Sequence, residues 1–218
     1  TVILILYILQ SSTITPLSRI HKILDRLTIY GVTQDKETRV LFAQLLENII
    51  TLQKNRKQRF AAMILDLDNF EAVNQQLGHD AGTELLQHVG DRLSATLRGS
   101  DIVSWTGTDT PGHKLLPADT KTEYRATLAR LGGDEFGMLL PSVETEQQAI
   151  SVASRIINSL NSNYTVNNQQ VTLRCRIGIS IYPDHGQAAE ELIRNADKAM
   201  FKARQSAVKY CIYNAKQL

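Results

Sequence analysis

Cys175 and Cys211 are the chain's only two cysteines in 218 residues. Two thiols make no disulfide framework, and they form no CxxC metal motif. A chain of this length can instead bury a core large enough to need no staples. Such sparing use of cysteine suits a reducing, cytosolic compartment. A charge of one sign is also lacking, since 24 Lys and Arg stand against 22 Asp and Glu, a formal +2. That balance projects no basic field and argues against nucleic acid as a partner. Low-complexity tracts and internal repeats are absent, and the 43% hydrophobic and 21% charged fractions are those of an ordinary globular chain. Long apolar runs are nearly absent too. Residues 2–9 (VILILYIL) are unbroken, yet far short of the roughly 20 residues that span a bilayer. The sequence opens on Thr1 rather than Met, and the run is expected to be the tail of a longer transmembrane helix. A short buried element is the alternative. Leu17, Ile20, Ile23, Leu24 and Leu27 then recur at helical spacing. Residues 1–27 are accordingly read as the end of a membrane helix with a signalling or linker helix, and 28–218 as one domain.

Apolar spacing predicts helices over 37–56, 80–97, 149–160 and 192–203. The continuous run 60–67 predicts a buried central strand that ends in acid. A Gly-Gly turn inside 131–140 predicts a hairpin. Strict alternation over 171–181 predicts a half-buried strand. Its apolar face holds Val171, Leu173, Cys175, Ile177, Ile179 and Ile181, and its other face Thr172, Arg174, Arg176 and Ser180. A last short strand is expected at 210–213. This order predicts an α/β (α+β) sandwich with a mixed central sheet flanked by helices. Residues 104–128, rich in Thr, Asp, Gly and Pro, break the pattern and read as an insertion, either a partner-binding loop or a surface excursion.

Chemistry is concentrated in two acidic pairs. Asp66 and Asp68 end the central strand, and their i,i+2 spacing puts both on one face. Asp134 and Glu135 follow Gly132-Gly133 in the hairpin. Such acids have little structural use at a sheet end, because unpaired charge there is costly unless hydrated or metal-bound. Oxygen ligands of this kind suit Mg²⁺, which is held by one or two carboxylates plus substrate phosphates. Metals so placed clamp the attacking and leaving oxygens of nucleotidyl transfer. The alternative is a plain hairpin with solvated acids.

Gly132-Gly133-Asp134-Glu135-Phe136 resembles the signature of the GGDEF family, the bacterial diguanylate cyclases. Asp66-Leu67-Asp68-Asn69-Phe70 is similar to its DxDxF segment. Asn74, Gly78-His79 and Gly82 continue that pattern, and Ile177-Gly178-Ile179-Ser180 resembles a late central strand. The segment 196–203 (ADKAMFKA) resembles the family's closing helix. The resemblance implies a βαββαβ nucleotidyl-cyclase or palm-like core. It also implies that two GTP molecules, one on each domain of a homodimer, condense to cyclic di-GMP and pyrophosphate. Asp66, the Leu67 carbonyl and Asp134 would hold Mg²⁺ or Mn²⁺. Asp134 or Glu135 would help deprotonate the 3′-hydroxyl. Gly132 and Gly133 would let the nucleotide lie against the backbone. Amides near Phe70 would cradle phosphates, and Asn74 would bond the guanine edge. His79 reads as a cap or core histidine rather than a catalytic one. Arg98 and Asp101 match an RxxD motif at which the product, cyclic di-GMP, binds back, although 30 residues (102–131) rather than the usual five precede Gly-Gly. Together with the apolar run at 2–9, the resemblance gives the expectation of a domain at the cytoplasmic face of the bacterial inner membrane.

Some positions depart from the pattern. Glu71 stands where a lysine is usual beside the phosphates. Thr83 stands where an aspartate normally pairs with guanine. Losing a hydrogen bond to a charged group costs about 1.5–3 kcal/mol, roughly ten- to a hundredfold in affinity. Arg204 replaces a lysine and keeps its charge, whereas Val208 replaces a basic residue. Two functions are therefore expected as alternatives. One is a diguanylate cyclase. The other is a degenerate domain that binds GTP or cyclic di-GMP and regulates an attached domain such as an EAL phosphodiesterase.

Overall fold

The computed structural model describes residues 36–56, 58–98 and 126–215. Helix α1 (Lys36–Arg56) leads into strand β1 (Phe60–Asp68), followed by helices α2 (Phe70–Leu77) and α3 (His79–Arg98). Strands β2 (Thr127–Gly132) and β3 (Glu135–Leu140) form a hairpin, after which comes α4 (Glu146–Leu160). A small ribbon, β4 (Asn163–Val166) and β5 (Gln169–Thr172), leads to β6 (Arg174–Tyr182), α5 (Ala189–Gln205) and β7 (Tyr210–Ile212). The main sheet has the order β2-β3-β1-β6-β7, antiparallel except where β7 runs parallel to β6. This is the expected mixed sheet flanked by helices, with the βαββαβ order.

β1 is the centre, and its alternation divides the core in two. Ala61, Met63, Leu65 and Leu67 pack with Leu85, Val89, Leu93, Ala153 and Ile156 of α3 and α4. Phe60, Ala62 and Ile64 pack with Phe42, Leu46 and Ile49 of α1 and with Leu192 and Ala196 of α5. The helices thus cover both faces, as strands with no polar alternation require. The expected half-buried strand at 171–181 is corrected on two counts. The chain breaks at Leu173 into β5 and β6, and from Ile177 to Tyr182 β6 is buried on both faces. Ser180, placed by alternation on a polar face, is fully buried and donates to the Leu192 carbonyl at 2.8 Å.

One close approach sets the position of α5. A Cβ on Gly178 of β6 would lie 2.0 Å from the Ala196 carbonyl oxygen and 2.3 Å from the Met200 nitrogen. Only a bare backbone lets the helix sit this close to the strand, and the last turns of α5 are thereby carried to the end of β1. The insertion is shorter at its C-terminal end than expected, because Thr127 and Leu128 already belong to β2. The remainder of that segment up to residue 125 lies outside the described residues, as do Asp101 and the whole of 1–27. Among the described residues no helix is long and apolar enough to cross a membrane.

Gly178→Ala should destabilise the domain by about 1–3 kcal/mol or more, through overpacking against the α5 backbone. Gly90→Ala, where an added Cβ meets nothing within 4 Å, should be neutral or gain up to about 1 kcal/mol from helix propensity. Urea melts of both variants check the contrast.

Candidate active site

Strand parity puts Asp66 and Asp68 on the α1/α5 face, just where β1 runs beyond the packed core. In register, Glu135 of β3 and Arg176 of β6 sit on either side of Asp66, and Arg174 sits opposite Asp68. The hairpin turn brings the remaining acid. Gly132 (φ +148°) and Gly133 (φ +52°) adopt backbone angles that L side chains rarely take. The buried Arg130 locks this turn by donating to the Gly133 carbonyl from Nε at 3.0 Å and from Nη2 at 2.9 Å. The Leu67 amide donates to the Asp134 carbonyl at 3.3 Å, tying the turn to the end of β1.

Asp66, Leu67 and Asp134 accordingly meet in one open cleft of about 590 Å³, which Asp68 and residues 69–72 at the start of α2 also line. Asn69 enters α2 with a left-handed φ of 60°, which turns the chain sharply where the first turn of α2 lines the cleft. Asp66 is held above the usual carboxylate range, first by burial and then by the negative charge of Asp134, against the opposing pull of Arg204. Two like-charged carboxylates so placed, with the Leu67 carbonyl, form a hard oxygen donor set that fits a divalent cation. No cluster of three or more metal-binding side chains occurs among the described residues. The remaining ligands of an ion such as Mg²⁺ or Mn²⁺ would come from phosphate and water.

Asp66, Asp68 and Glu135 do have structural partners, which corrects the expectation that such acids have little structural use. Arg204 donates to Asp66, and Arg176 donates to Asp68. Arg39 of α1 donates to Glu135 at 2.7 Å and to Asp197 of α5 at 2.6 Å. Glu135 shares the Asp66 face but is taken by Arg39, and it does not line the cleft. Burial raises Glu135 and Asp197 above the ordinary carboxylate range, with Arg39 working against the rise in both. Gly132 and Gly133 line a separate hollow of about 780 Å³ between α1 and α5, beside Arg39 and Asp197.

Of the two residues at expected guanine-reading positions, Asn74 is turned inward and Thr83 is exposed. The Asn74 Oδ1 is buried with no hydrogen-bond partner and presses on α3, where a Cβ on Gly82 would lie 1.8 Å from it. The Thr83 hydroxyl donates to the His79 carbonyl at 3.0 Å. His79 is exposed as the first residue of α3, so it is no core histidine. Phe70 is buried, as an anchor for α2. Glu71 is exposed at the cleft. Arg98 closes α3, and its RxxD partner Asp101 lies outside the described residues. Sequence reasoning missed Arg39, Arg176 and Asp197 as site residues. Arg176 carried a signal, as a cation on the polar side of an alternating strand. Arg39 carried none, because its partners lie 96 and 158 residues away.

The sequence model of the diguanylate cyclase GGDEF domain matches residues 32–110 and 115–209. The chain belongs to the GGDEF family. Among its relatives, the bifunctional diguanylate cyclase/cyclic di-GMP phosphodiesterase MucR of Pseudomonas aeruginosa is 31% identical over 202 residues, 92% of this chain and 26% of MucR. The diguanylate cyclase TpbB of the same species is 29% identical over 170 residues, 78% of this chain and 33% of TpbB. The crystal structure of the TpbB GGDEF domain superposes with a TM-score of 0.67 at 25% identity, covering 84% of this chain and 98% of that domain. The chain thus spans about a quarter to a third of these relatives.

Arg39→Ala should cost about 1–2 kcal/mol at pH 7, two charge-assisted hydrogen bonds discounted for the partly exposed guanidinium. The loss should depend on pH. Glu135 and Asp197 have folded-state values raised above their unfolded ones, so the native state holds more protons and stability falls as pH rises through that window. Removing Arg39 extends the window upward, with Asp66 adding to the repulsion on Glu135. The deficit of the variant should therefore be greatest at pH 7 and shrink towards pH 5. Thermal melts at both pH values check this, and an equal deficit at each would contradict it.

Proposed function

We propose that this GGDEF domain condenses two GTP molecules into cyclic di-GMP and pyrophosphate, in a divalent-metal-dependent reaction across a homodimer. The observation that carries the reading is the meeting of Asp66, the Leu67 backbone and Asp134 in one cleft beside the first turn of α2. The cleft lies on one side of one chain, so a reaction joining two nucleotides needs a second copy facing it. A bound Mg²⁺ or Mn²⁺ would supply charge neutralisation for the phosphates and a fixed orientation of the leaving group. Asp66 and Asp134 would hold that ion, and the amides at Phe70 and Glu71 would bind the terminal phosphates. Each nucleotide's 3′-oxygen would attack the other's α-phosphorus as that phosphorus loses its bond to the bridging β-phosphate oxygen, so that two phosphodiester bonds form and two pyrophosphates leave. The 3′ proton would pass to Asp134. Glu135 would not take it but would hold the hairpin to α1 and α5 through Arg39. The location at the cytoplasmic face of the bacterial inner membrane belongs to the same proposal and rests on the apolar run at 2–9.

A second reading is favoured by Asn74, Thr83 and Glu71. The Asn74 amide oxygen is packed against α3, the Thr83 hydroxyl is given to the His79 carbonyl, and an acid faces the phosphate end. On that reading the domain binds GTP or cyclic di-GMP and regulates an attached domain such as an EAL phosphodiesterase. The name of MucR joins a diguanylate cyclase to a cyclic di-GMP phosphodiesterase in one protein, which is in keeping with the attached domain but not with the loss of cyclase activity.

The chain fused to a dimerising coiled coil, given GTP and Mg²⁺, should yield cyclic di-GMP by chromatography and mass spectrometry. Asp134→Asn should lower the yield at least a hundredfold. A folded dimer that gives no product would favour the regulatory reading.

A further inference from the structure

The lining of the cleft counts against its own substrate. Asp66, Asp68, Glu71 and Asp134 stand against Arg176 and Arg204. Four carboxylates and two guanidiniums leave it two negative charges, where a triphosphate must enter. Of the three basic positions that the family resemblance leads one to expect, two are held by Glu71 and Val208, and only Arg204 keeps its charge. Val208 is 45% exposed and does not line the cleft. Arg204 is engaged with Asp66, an acid proposed to hold the metal. That leaves Arg176.

Resting on the cyclase reading, we propose that Arg176 is the substrate-phosphate-binding residue of this cleft, in place of the lysine that Glu71 displaces. Arg176 projects from β6 on the face that carries Asp66 and Asp68, and it lines the cleft together with the first turn of α2. Its contact is diagonal across the strands, to Asp68 rather than to the directly opposed Asp66. Asp68 lies outside the proposed metal donor set, so this contact competes with no metal ligand. The pair is largely withdrawn from water, with side-chain exposures of 24% for Arg176 and 14% for Asp68. A guanidinium carries five N–H donors in a rigid fork. Holding Asp68 through Nη1 alone orients that fork without exhausting it. Asp68 is then a positioning residue, which keeps the cation extended towards the α2 amides. A fork aimed at phosphate oxygens replaces the point charge of a lysine with a directional contact.

The test is calorimetric binding of an α,β-methylene GTP analogue, which cannot be cyclised, in the presence of Mg²⁺. The folded chain is titrated as wild type, Arg176→Ala, Asp68→Asn, Glu71→Lys and Glu71→Lys/Arg176→Ala. Arg176→Ala should weaken binding at least tenfold, and Glu71→Lys should recover most of that loss in the double variant. Asp68→Asn, whose amide oxygen still accepts from Nη1 but without the charge, should weaken binding about two- to threefold, well short of the loss in Arg176→Ala. Equal losses in Arg176→Ala and Asp68→Asn would assign the pair a merely structural role and overturn the proposal. The double variant Asp68→Asn/Arg176→Gln removes both charges, leaves neither unpaired and keeps the net charge of the cleft. Its expected tenfold loss therefore reports the missing donor and not the field, and it serves also if Arg176→Ala does not fold. Wild-type binding matched by this variant would sink the assignment of Arg176 alone. Absence of binding in every variant, Glu71→Lys included, would sink the cyclase reading together with it.

Discussion

β1 carries charge out of an apolar core, and the side-chain alternation of this strand decides where that charge goes. Its residues are fully buried from Phe60 to Leu65, with helices on both sides. Odd positions belong to α3 and α4 and even positions to α1 and α5. Asp66 and Asp68 are even, so they emerge on the side where α5 ends and where the β2–β3 turn folds over. A slip of one residue in register would send both acids towards α3 and α4 and dissolve the site. The close seat of α5 on Gly178 and the Arg130 lock on the hairpin both serve this placement.

The result is a site balanced by arginines. Each of Asp66, Asp68 and Glu135 has a guanidinium partner drawn from a different element, α5, β6 and α1. These pairs allow four acids to collect at one sheet end without a cation already present. They also divide the acids by role. Asp66 and Asp134 face the cleft, Asp68 steadies Arg176, and Glu135 belongs to the frame that joins α1, β3 and α5. The raised proton affinity of Asp66, Glu135 and Asp197 is the remaining electrostatic strain.

Much of this was legible in the sequence. The run 60–67 and the Gly-Gly turn fix the central strand and the hairpin, and the spacing of Asp66 and Asp68 fixes their common face. The four longer helices follow from their apolar rows. Helix α2 was not foreseen, because eight residues whose one buried side chain is Phe70 give too few turns for a periodic signal. The break at Leu173 was hidden for a different reason, since β5 and β6 keep one alternation across it while pairing with different partners. The guanidinium partners lie between 96 and 158 residues from Glu135, Asp197, Asp66 and Asp68. Such pairings are decided by sheet order and the seat of α5, which no local pattern records. The inward turn of Asn74 depends likewise on the packing of α2 against Gly82.

The central claim is that Asp66 and Asp134 hold a divalent ion while Glu135 is committed to Arg39. Mn²⁺ bound in the presence of the non-cyclisable GTP analogue, counted by electron paramagnetic resonance, tests it directly. Asp66→Asn and Asp134→Asn should each lose at least tenfold in Mn²⁺ affinity, and Glu135→Gln should retain it. Loss of Mn²⁺ in Glu135→Gln with retention in Asp134→Asn would contradict the account.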